Sequence, residues 1–218
     1  MNRAESEYHS RYFSTRFSYH ANRDVVWREV CRYLQPRDIP DDGVVLEIGA
    51  GYCHFINQIH GRARHALDVS PDLPTRVAAG VLPHVGSCTS LPMFQDGSVD
   101  VVFASNLFEH LTREELSTTL EEIRRVLRPG GRLVIVQPNF KYCAREYFDD
   151  YTHLQVFTHL SLSDRLMAGG FHIQRLEPRF LPFSMRSRLP KSSVLVRLYL
   201  HSPFKPFGAQ MLVIARKA

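Results

Sequence analysis

With 218 residues, 44% of them hydrophobic and 22% charged, the chain can bury a proper core without disulfides or metals and has the composition of an ordinary globular domain. Its net charge of +5 favours an anionic partner only weakly. The four cysteines (Cys31, Cys53, Cys88, Cys143) form no C-x-x-C pair, the charged N-terminus has no apolar h-region, and no run of about 18 apolar residues offers a bilayer span, so no metal, no secretory signal and a cytoplasmic location are expected.

Residues 1–22, rich in Tyr, His, Arg and Ser, read as an irregular arm or lid carrying Tyr8, Tyr12, Phe13, Phe17 and Tyr19. From Asp24 to Leu34 apolar residues recur at helical spacing, and Pro36 ends the run. Asp41-Asp42-Gly43 turns into a short apolar strand, Val44 to Ile48. Tyr52 to His60 reads as a helix, Ala63 to Asp68 as a strand ending in an acid, Val81 to Val85 as a weaker strand and Val99 to Ala104 as a buried one. Thr112 and Glu115 form a capping box, and the helix behind it keeps Leu116, Leu120, Ile123, Val126 and Leu127 on one face until Pro129-Gly130-Gly131. A strand at Leu133 to Val136, a helix at Ser161 to Ala168 and strands at Phe171 to Leu176 and Gln210 to Ala215 follow.

Such alternation implies a parallel sheet covered on both faces, with residues 23–218 as one domain. Glu177 to Ala209 is a long insertion with a helix near Ser192 to Leu200, and loops of that length are usually functional, so it is expected to form part of the substrate site. Arg175, Arg179, Arg186, Arg188, Lys191 and Arg197 crowd the same region. They read either as a solvated basic surface or as a wall for phosphate or another anion.

The strand ending in Glu47 leads into Gly49-Ala50-Gly51, which puts bare backbone where a ligand must approach closely. Asp68 closes the next strand about 20 residues later, where doubly wound folds place the acid that takes ribose hydroxyls. That geometry suits NAD as well as S-adenosylmethionine (AdoMet). Three features disfavour NAD. The Glu47 carboxylate repels a pyrophosphate but suits a cationic sulfonium–amino acid; His54 stands where G-x-G-x-x-G needs its third glycine; and a strand pair, not a second βαβαβ half, ends the chain.

Four segments then matter together: Leu46-Glu47-Ile48-Gly49-Ala50-Gly51; Ala66-Leu67-Asp68-Val69-Ser70; Asp96 to Val102 leading into Ser105-Asn106-Leu107-Phe108-Glu109-His110-Leu111; and Arg125 to Gly131. In that order and spacing, over residues 43–140, the chain resembles the class I AdoMet-dependent methyltransferases. The resemblance implies a Rossmann-like α/β fold, doubly wound, with a seven-stranded sheet that is mostly parallel and has an antiparallel last strand. It implies that Glu47, Gly49, Ala50 and Gly51 hold the methionine part of AdoMet, Asp68 the ribose, and Ser87 and Cys88 the adenine edge. Ser105 would lie on the methyl-transfer side, with His110 near the cofactor. Two departures are Cys53, where the family often has a third glycine, and Gly86-Ser87-Cys88, where it often has an acid.

Methyl transfer is an in-line displacement, so positioning contributes most and a base is needed only for a weakly acidic acceptor. Neither the (Asn/Asp)-Pro-Pro-Tyr of N-methylating relatives nor a Pro-Cys thiolate is present, and no RNA-binding module is appended. A small-molecule acceptor methylated through oxygen is therefore favoured over nucleic acid. The cluster after the fifth strand (Asn139, Tyr142, Arg145, Tyr147, Asp150, His153) is expected to face it, with His153 as general base and Asp150 as its partner. Together with Arg179 and Arg186 it suggests an anionic or sugar-containing acceptor. The other reading is a non-catalytic AdoMet-fold scaffold that uses Val194 to Leu200 against a membrane surface or another protein.

Overall fold

The computed structural model describes residues 22–183 and 192–218; the expected arm, with Tyr8, Tyr12, Phe13, Phe17 and Tyr19, and the cations Arg186, Arg188 and Lys191 lie outside the described residues. Helix α1 (Asn22–Leu34) is followed by strands β1 (Val44–Ile48) and β2 (Ala63–Asp68), the one-turn helix α2 (Leu73–Arg76), and strands β3 (Val81–Val85) and β4 (Val99–Ser105). A 3-10 turn (Phe108–His110) leads to α3 (Arg113–Val126), β5 (Leu127–Pro138), the short α4 (Phe140–Cys143) and a second 3-10 turn (Tyr147–Asp149). The chain then runs through α5 (His159–Ala168), β6 (Phe171–Pro182), α6 (Ser193–His201) and β7 (Gly208–Lys217).

The seven strands order as β3-β2-β1-β4-β5-β7-β6. Strands β1 to β5 pair in parallel, and β7 runs antiparallel to both β5 and β6. Successive strand residues point to opposite faces, so each buried strand feeds two cores. Val45, Val101, Phe103, Val134 and Val136 face α1 and the 53–59 segment, where Phe55 stacks on Phe103 at 3.6 Å and Trp27 meets both edge-on. Leu46, Ile48, Val102, Ala104, Leu133 and Ile135 face α3 and α5. This parity fixes Glu47, between Leu46 and Ile48, on the α1 side. The strand order reverses between β1 and β4, the switch point at which open α/β sheets receive ligands.

The capping box forms as expected: the Thr112 hydroxyl accepts from the Glu115 amide at 3.2 Å, and the Glu115 carboxylate from the Thr112 amide at 2.8 Å. Arg125 explains its place in the fourth segment, because its guanidinium donates to the carbonyls of Leu91 and Phe94 and to Asp96, holding the loop before β4. Two expectations need correction. Pro129-Gly130-Gly131 lies inside β5, which already begins at Leu127 and absorbs the irregularity as a register shift against β4. Residues 52–60 form turns rather than a helix, because Cys53 is left-handed (φ 59°) and the Ile56 amide goes to Glu47 instead of the carbonyl four residues back. The insertion's helix α6 packs on α1, with Leu200 in that core and Tyr33 against His201 at 5.1 Å. No helix among the described residues is long and apolar enough to cross a membrane.

On the β2–β3 edge, His65 Nδ1 and His84 Nε2 lie 3.0 Å apart and share one proton, and both rings pack edge-on against Phe94. Burial holds both pKa values below the ordinary histidine range, with each ring's charge opposing the other at His65. Groups with depressed folded-state pKa values bind fewer protons when folded, so stability from this pair is intact above about pH 6.5 and is lost as pH falls below it. Changing His84 to Phe is expected to shrink the drop in urea midpoint between about pH 7.5 and about pH 5.5. A drop equal to that of the unaltered chain would remove this pair from the acid response.

Candidate cofactor and acceptor site

The loop after β1 is built by two buried carboxylates. Glu47 Oε2 accepts from the Ile56 amide at 3.0 Å. Asp68 Oδ2 accepts from the Gly51 amide at 2.8 Å, and its Oδ1 from the Ser70 amide at 2.8 Å. Burial, offset in part by the Ile56 amide and reinforced by the charge of Asp68, drives the Glu47 pKa well upward. Gly49 (φ 65°) and Gly51 (φ 54°) adopt the left-handed conformation that glycine enters without a Cβ penalty. At Gly49 a Cβ would also meet Leu107 at 3.0 Å, so the glycine loop and the end of β4 touch. Arg76 closes the far side, donating to the Gly51 carbonyl at 3.1 Å with its guanidinium over the Tyr52 ring. A cavity of about 510 Å³ opens there, lined in part by Tyr52, Cys53, His54, Arg76 and Asp24.

Cys53 also takes a left-handed conformation, at the position where the family often has glycine. Its thiol is fully buried, and burial with the nearby charges of Glu47 and Asp68 pushes its pKa up to about 12, so it is a packing group rather than a nucleophile. His54, which stands where a dinucleotide loop needs its third glycine, is buried with Nδ1 on Asp24 of α1 at 2.7 Å, an anchor between helix and loop. The expected adenine contacts lie beside Asp68, because the Gly86 amide donates to the Asp68 carbonyl. Ser87 is exposed and bonded to Thr89, whereas Cys88 is buried under the Thr119 hydroxyl. Ser105 is half-buried at the end of β4, next to left-handed Asn106.

In the cluster expected to face the acceptor, two segments far apart in sequence are clamped together. The Glu109 carbonyl accepts from the amides of Leu154 (2.8 Å) and Gln155 (3.1 Å), and the Gln155 side chain donates to the carbonyls of Leu111 and Thr112. His110 Nδ1 meets the Thr152 hydroxyl at 2.9 Å, and that hydroxyl donates to Asp150 at 2.6 Å. His153 Nδ1 donates to the Tyr147 carbonyl at 2.7 Å, so a backbone carbonyl orients this ring where Asp150 was expected to; Asp150 acts on His110 through Thr152. The two imidazoles lie 4.9 Å apart. Between them Glu109, which the sequence offered only as the neighbour of His110, is fully buried with neither carboxyl oxygen hydrogen-bonded. Burial raises its pKa to about 8, with the charge of Asp150 adding to the effect.

Other expected acceptor contacts are distributed differently. Tyr147 is completely buried against Phe140, Phe148 and His153, with its hydroxyl on the Gln155 carbonyl, so it supports the site from behind. Asn139 is buried too, donating to the Pro178 carbonyl and meeting His159. Tyr142 lies under the Arg179 guanidinium at 3.8 Å, and Arg179 also donates to the carbonyls of Pro206 and Gly208. Arg145 is exposed. The basic wall is largely neutralised among the described residues: Arg175 pairs with Asp38 and Glu177, Lys205 with Glu177, and Arg197 with Glu29.

Fold and loop together define an α/β domain with a left-handed glycine loop at the switch point of its sheet, the place where open α/β sheets receive ligands. Residues 46–135 match the family described as a methyltransferase domain. Over 162 residues the chain is 32% identical to a malonyl-[acyl-carrier protein] O-methyltransferase of Methylococcus capsulatus, covering 65% of this chain and 56% of that one. A second malonyl-[acyl-carrier protein] O-methyltransferase, from Coxiella burnetii, is 34% identical over 118 residues, covering 52% of this chain and 41% of its own length. The chain thus spans about half the length of these relatives. A solved AdoMet-dependent methyltransferase of Archaeoglobus fulgidus shares the fold with a TM-score of 0.68 at 22% identity, over 96% of this chain and 99% of that one. Residues 46–135 are thus similar to a methyltransferase domain, and the fold is shared with AdoMet-dependent methyltransferases, whose cofactor is AdoMet.

Cys53 offers a direct test of the loop geometry. A left-handed non-glycine residue costs roughly 1–2 kcal/mol, which offsets much of what burying a small side chain contributes. Cys53→Gly should therefore stay within about 1 kcal/mol of the parent, whereas β-branched Cys53→Val should lose about 2 kcal/mol or more in urea denaturation. A valine variant as stable as the glycine variant would contradict the geometry.

Proposed function

We propose that the chain transfers the AdoMet methyl group to an oxygen of a small acceptor. The observation that carries this reading is the pairing of two buried carboxylates, Glu47 and Asp68, around a left-handed glycine loop at the switch point of a methyltransferase sheet. In this reading Glu47, Gly49, Ala50 and Gly51 receive the cationic methionine end. Asp68 takes the ribose hydroxyls on the lone pairs its two amide bonds leave over, and Ser87 and Cys88 border the adenine. Ser105 and His110 flank the methyl group. The acceptor lies against Tyr142, Arg145, Arg179 and the His153 cluster.

The acceptor hydroxyl oxygen attacks the sulfonium methyl, the carbon–sulfur bond breaks, and S-adenosylhomocysteine leaves as a neutral thioether. The hydroxyl proton goes to His153, whose Nδ1 proton is held by the Tyr147 carbonyl so that Nε2 carries the lone pair. A carboxylate acceptor, which the two malonyl-[acyl-carrier protein] O-methyltransferases use by name, would need no base. His153→Ala separates the two: a loss of about 100-fold or more in turnover at saturating AdoMet indicates a hydroxyl acceptor, and near-normal turnover removes the base role. An anionic or sugar-containing acceptor remains part of this proposal, although the ion pairs of Arg175 and Arg197 leave less positive charge for it than the sequence suggested.

The scaffold reading draws on Val194, Leu195 and Leu198 of α6, each at least half exposed. It would be supported by salt-dependent sedimentation with anionic vesicles in the absence of AdoMet binding. The cofactor half of the main reading has its own test. Burial pushes the Glu47 pKa well upward, and a cationic ligand opposes that shift by favouring the ionised form. Titration calorimetry with AdoMet in buffers of different ionisation enthalpy should therefore show proton release, lost with weakened binding in Glu47→Gln. No binding at sub-millimolar AdoMet would sink the enzyme reading.

A further inference from the structure

Glu109, His110 and His153 form a cluster that the cofactor reading does not explain. One ligating atom from each lies within 4.8 Å of the others, with Glu109 buried and both histidines half-buried. Described partners of both rings sit on Nδ1, the Tyr147 carbonyl at His153 and the Thr152 hydroxyl at His110, and a neutral ring that donates from Nδ1 carries its lone pair on Nε2. Histidines that ligate metals are held this way, by a carbonyl or hydroxyl on the nitrogen remote from the ion. Neither Glu109 oxygen has a hydrogen-bond partner, although the side chain is fully buried. Keeping that carboxyl neutral leaves the puzzle in place, since the O–H of the acid also needs an acceptor.

We infer that Glu109, His110 and His153 bind a divalent first-row transition metal. Two imidazoles and one carboxylate suit zinc, cobalt, manganese or iron better than magnesium or calcium, which prefer all-oxygen sets. Asp150, bonded through Thr152 to His110, is a second carboxylate beside the cluster. The clamp between Glu109 and residues 154–155 holds the carboxylate and His153 in register before any ion arrives. Three protein ligands leave at least one coordination position open, as in catalytic metal sites.

The binding of metal stands without the methyltransferase reading, but its use in transfer rests on that reading. An acceptor oxygen in the open position would be oriented and acidified by the ion, and His153 would then act as a ligand instead of a base. The cluster follows the 3-10 turn that leaves β4, the strand whose end meets the glycine loop, so such an oxygen would lie on the acceptor side.

The test uses the full tag-free chain, stripped with chelator and titrated with cobalt(II) and, by calorimetry, with zinc(II). One equivalent should bind, and cobalt should give visible ligand-field bands. Glu109→Gln keeps the shape of the side chain and is expected to fold; it and His153→Ala should each weaken binding more than about 10-fold, the lower end of what losing even an outer-shell partner costs. No stoichiometric binding, or binding and bands unchanged in Glu109→Gln with a native circular dichroism spectrum, would overturn the inference. S-adenosylhomocysteine titrated into the same samples separates the two proposals. A chain that binds it but no metal loses the metal site alone, and one that binds metal but not S-adenosylhomocysteine loses the methyltransferase reading instead.

Discussion

The capture of backbone amides by the carboxylates of Glu47 and Asp68 is the constraint on which the cofactor side of this molecule depends. Glu47 lies one residue before the end of β1 and Asp68 ends the neighbouring strand β2, and each takes amides from irregular segments: Ile56 for Glu47, Gly51 and Ser70 for Asp68. Amides that cannot pair within a helix are costly to bury, and a charged acceptor satisfies them better than a neutral one. The same two side chains therefore shape the loop and carry its negative character. A cationic ligand entering such a site would meet acids already fixed in place by the backbone they hold.

The cluster proposed to face the acceptor uses a different device. A 3-10 turn after β4 and the loop after α4 are joined through the Glu109 carbonyl, the Gln155 side chain and the Thr152–His110 contact. Buried Tyr147 aims His153 with its carbonyl while its ring and hydroxyl anchor the loop. Preorganisation of this kind matters where positioning contributes most of the rate. What it leaves exposed energetically is Glu109, a buried carboxyl with no bond to share.

Much of the scaffold was legible because its signals are periodic. Period-two apolar runs marked the strands, Thr112 and Glu115 marked the start of α3, and Glu47 and Asp68 stood where a doubly wound fold puts acids. The turns at residues 52–60 were not legible, because a side chain taking the Ile56 amide leaves no trace in apolar spacing; Cys53 in the place of a glycine was the single available hint. The roles of Tyr147 and Asn139 depended on burial, which the polar, irregular stretch around them concealed. Arg175 and Arg197 looked like a free basic wall because their partners, Asp38 and Glu29, are more than a hundred positions away. Glu109 and His153 are likewise distant in sequence, so the spacing of the cysteines, from which no metal was expected, had no bearing on them.

A crystal structure of the chain soaked with S-adenosylhomocysteine tests the central claim most directly. The account predicts the amino acid end of the ligand on the loop from Glu47 to Gly51, ribose hydroxyls on Asp68, and the sulfur turned toward Ser105 and His153. A ligand bound elsewhere, or a ribose with no contact to Asp68 while the loop keeps its present hydrogen bonds, would contradict it.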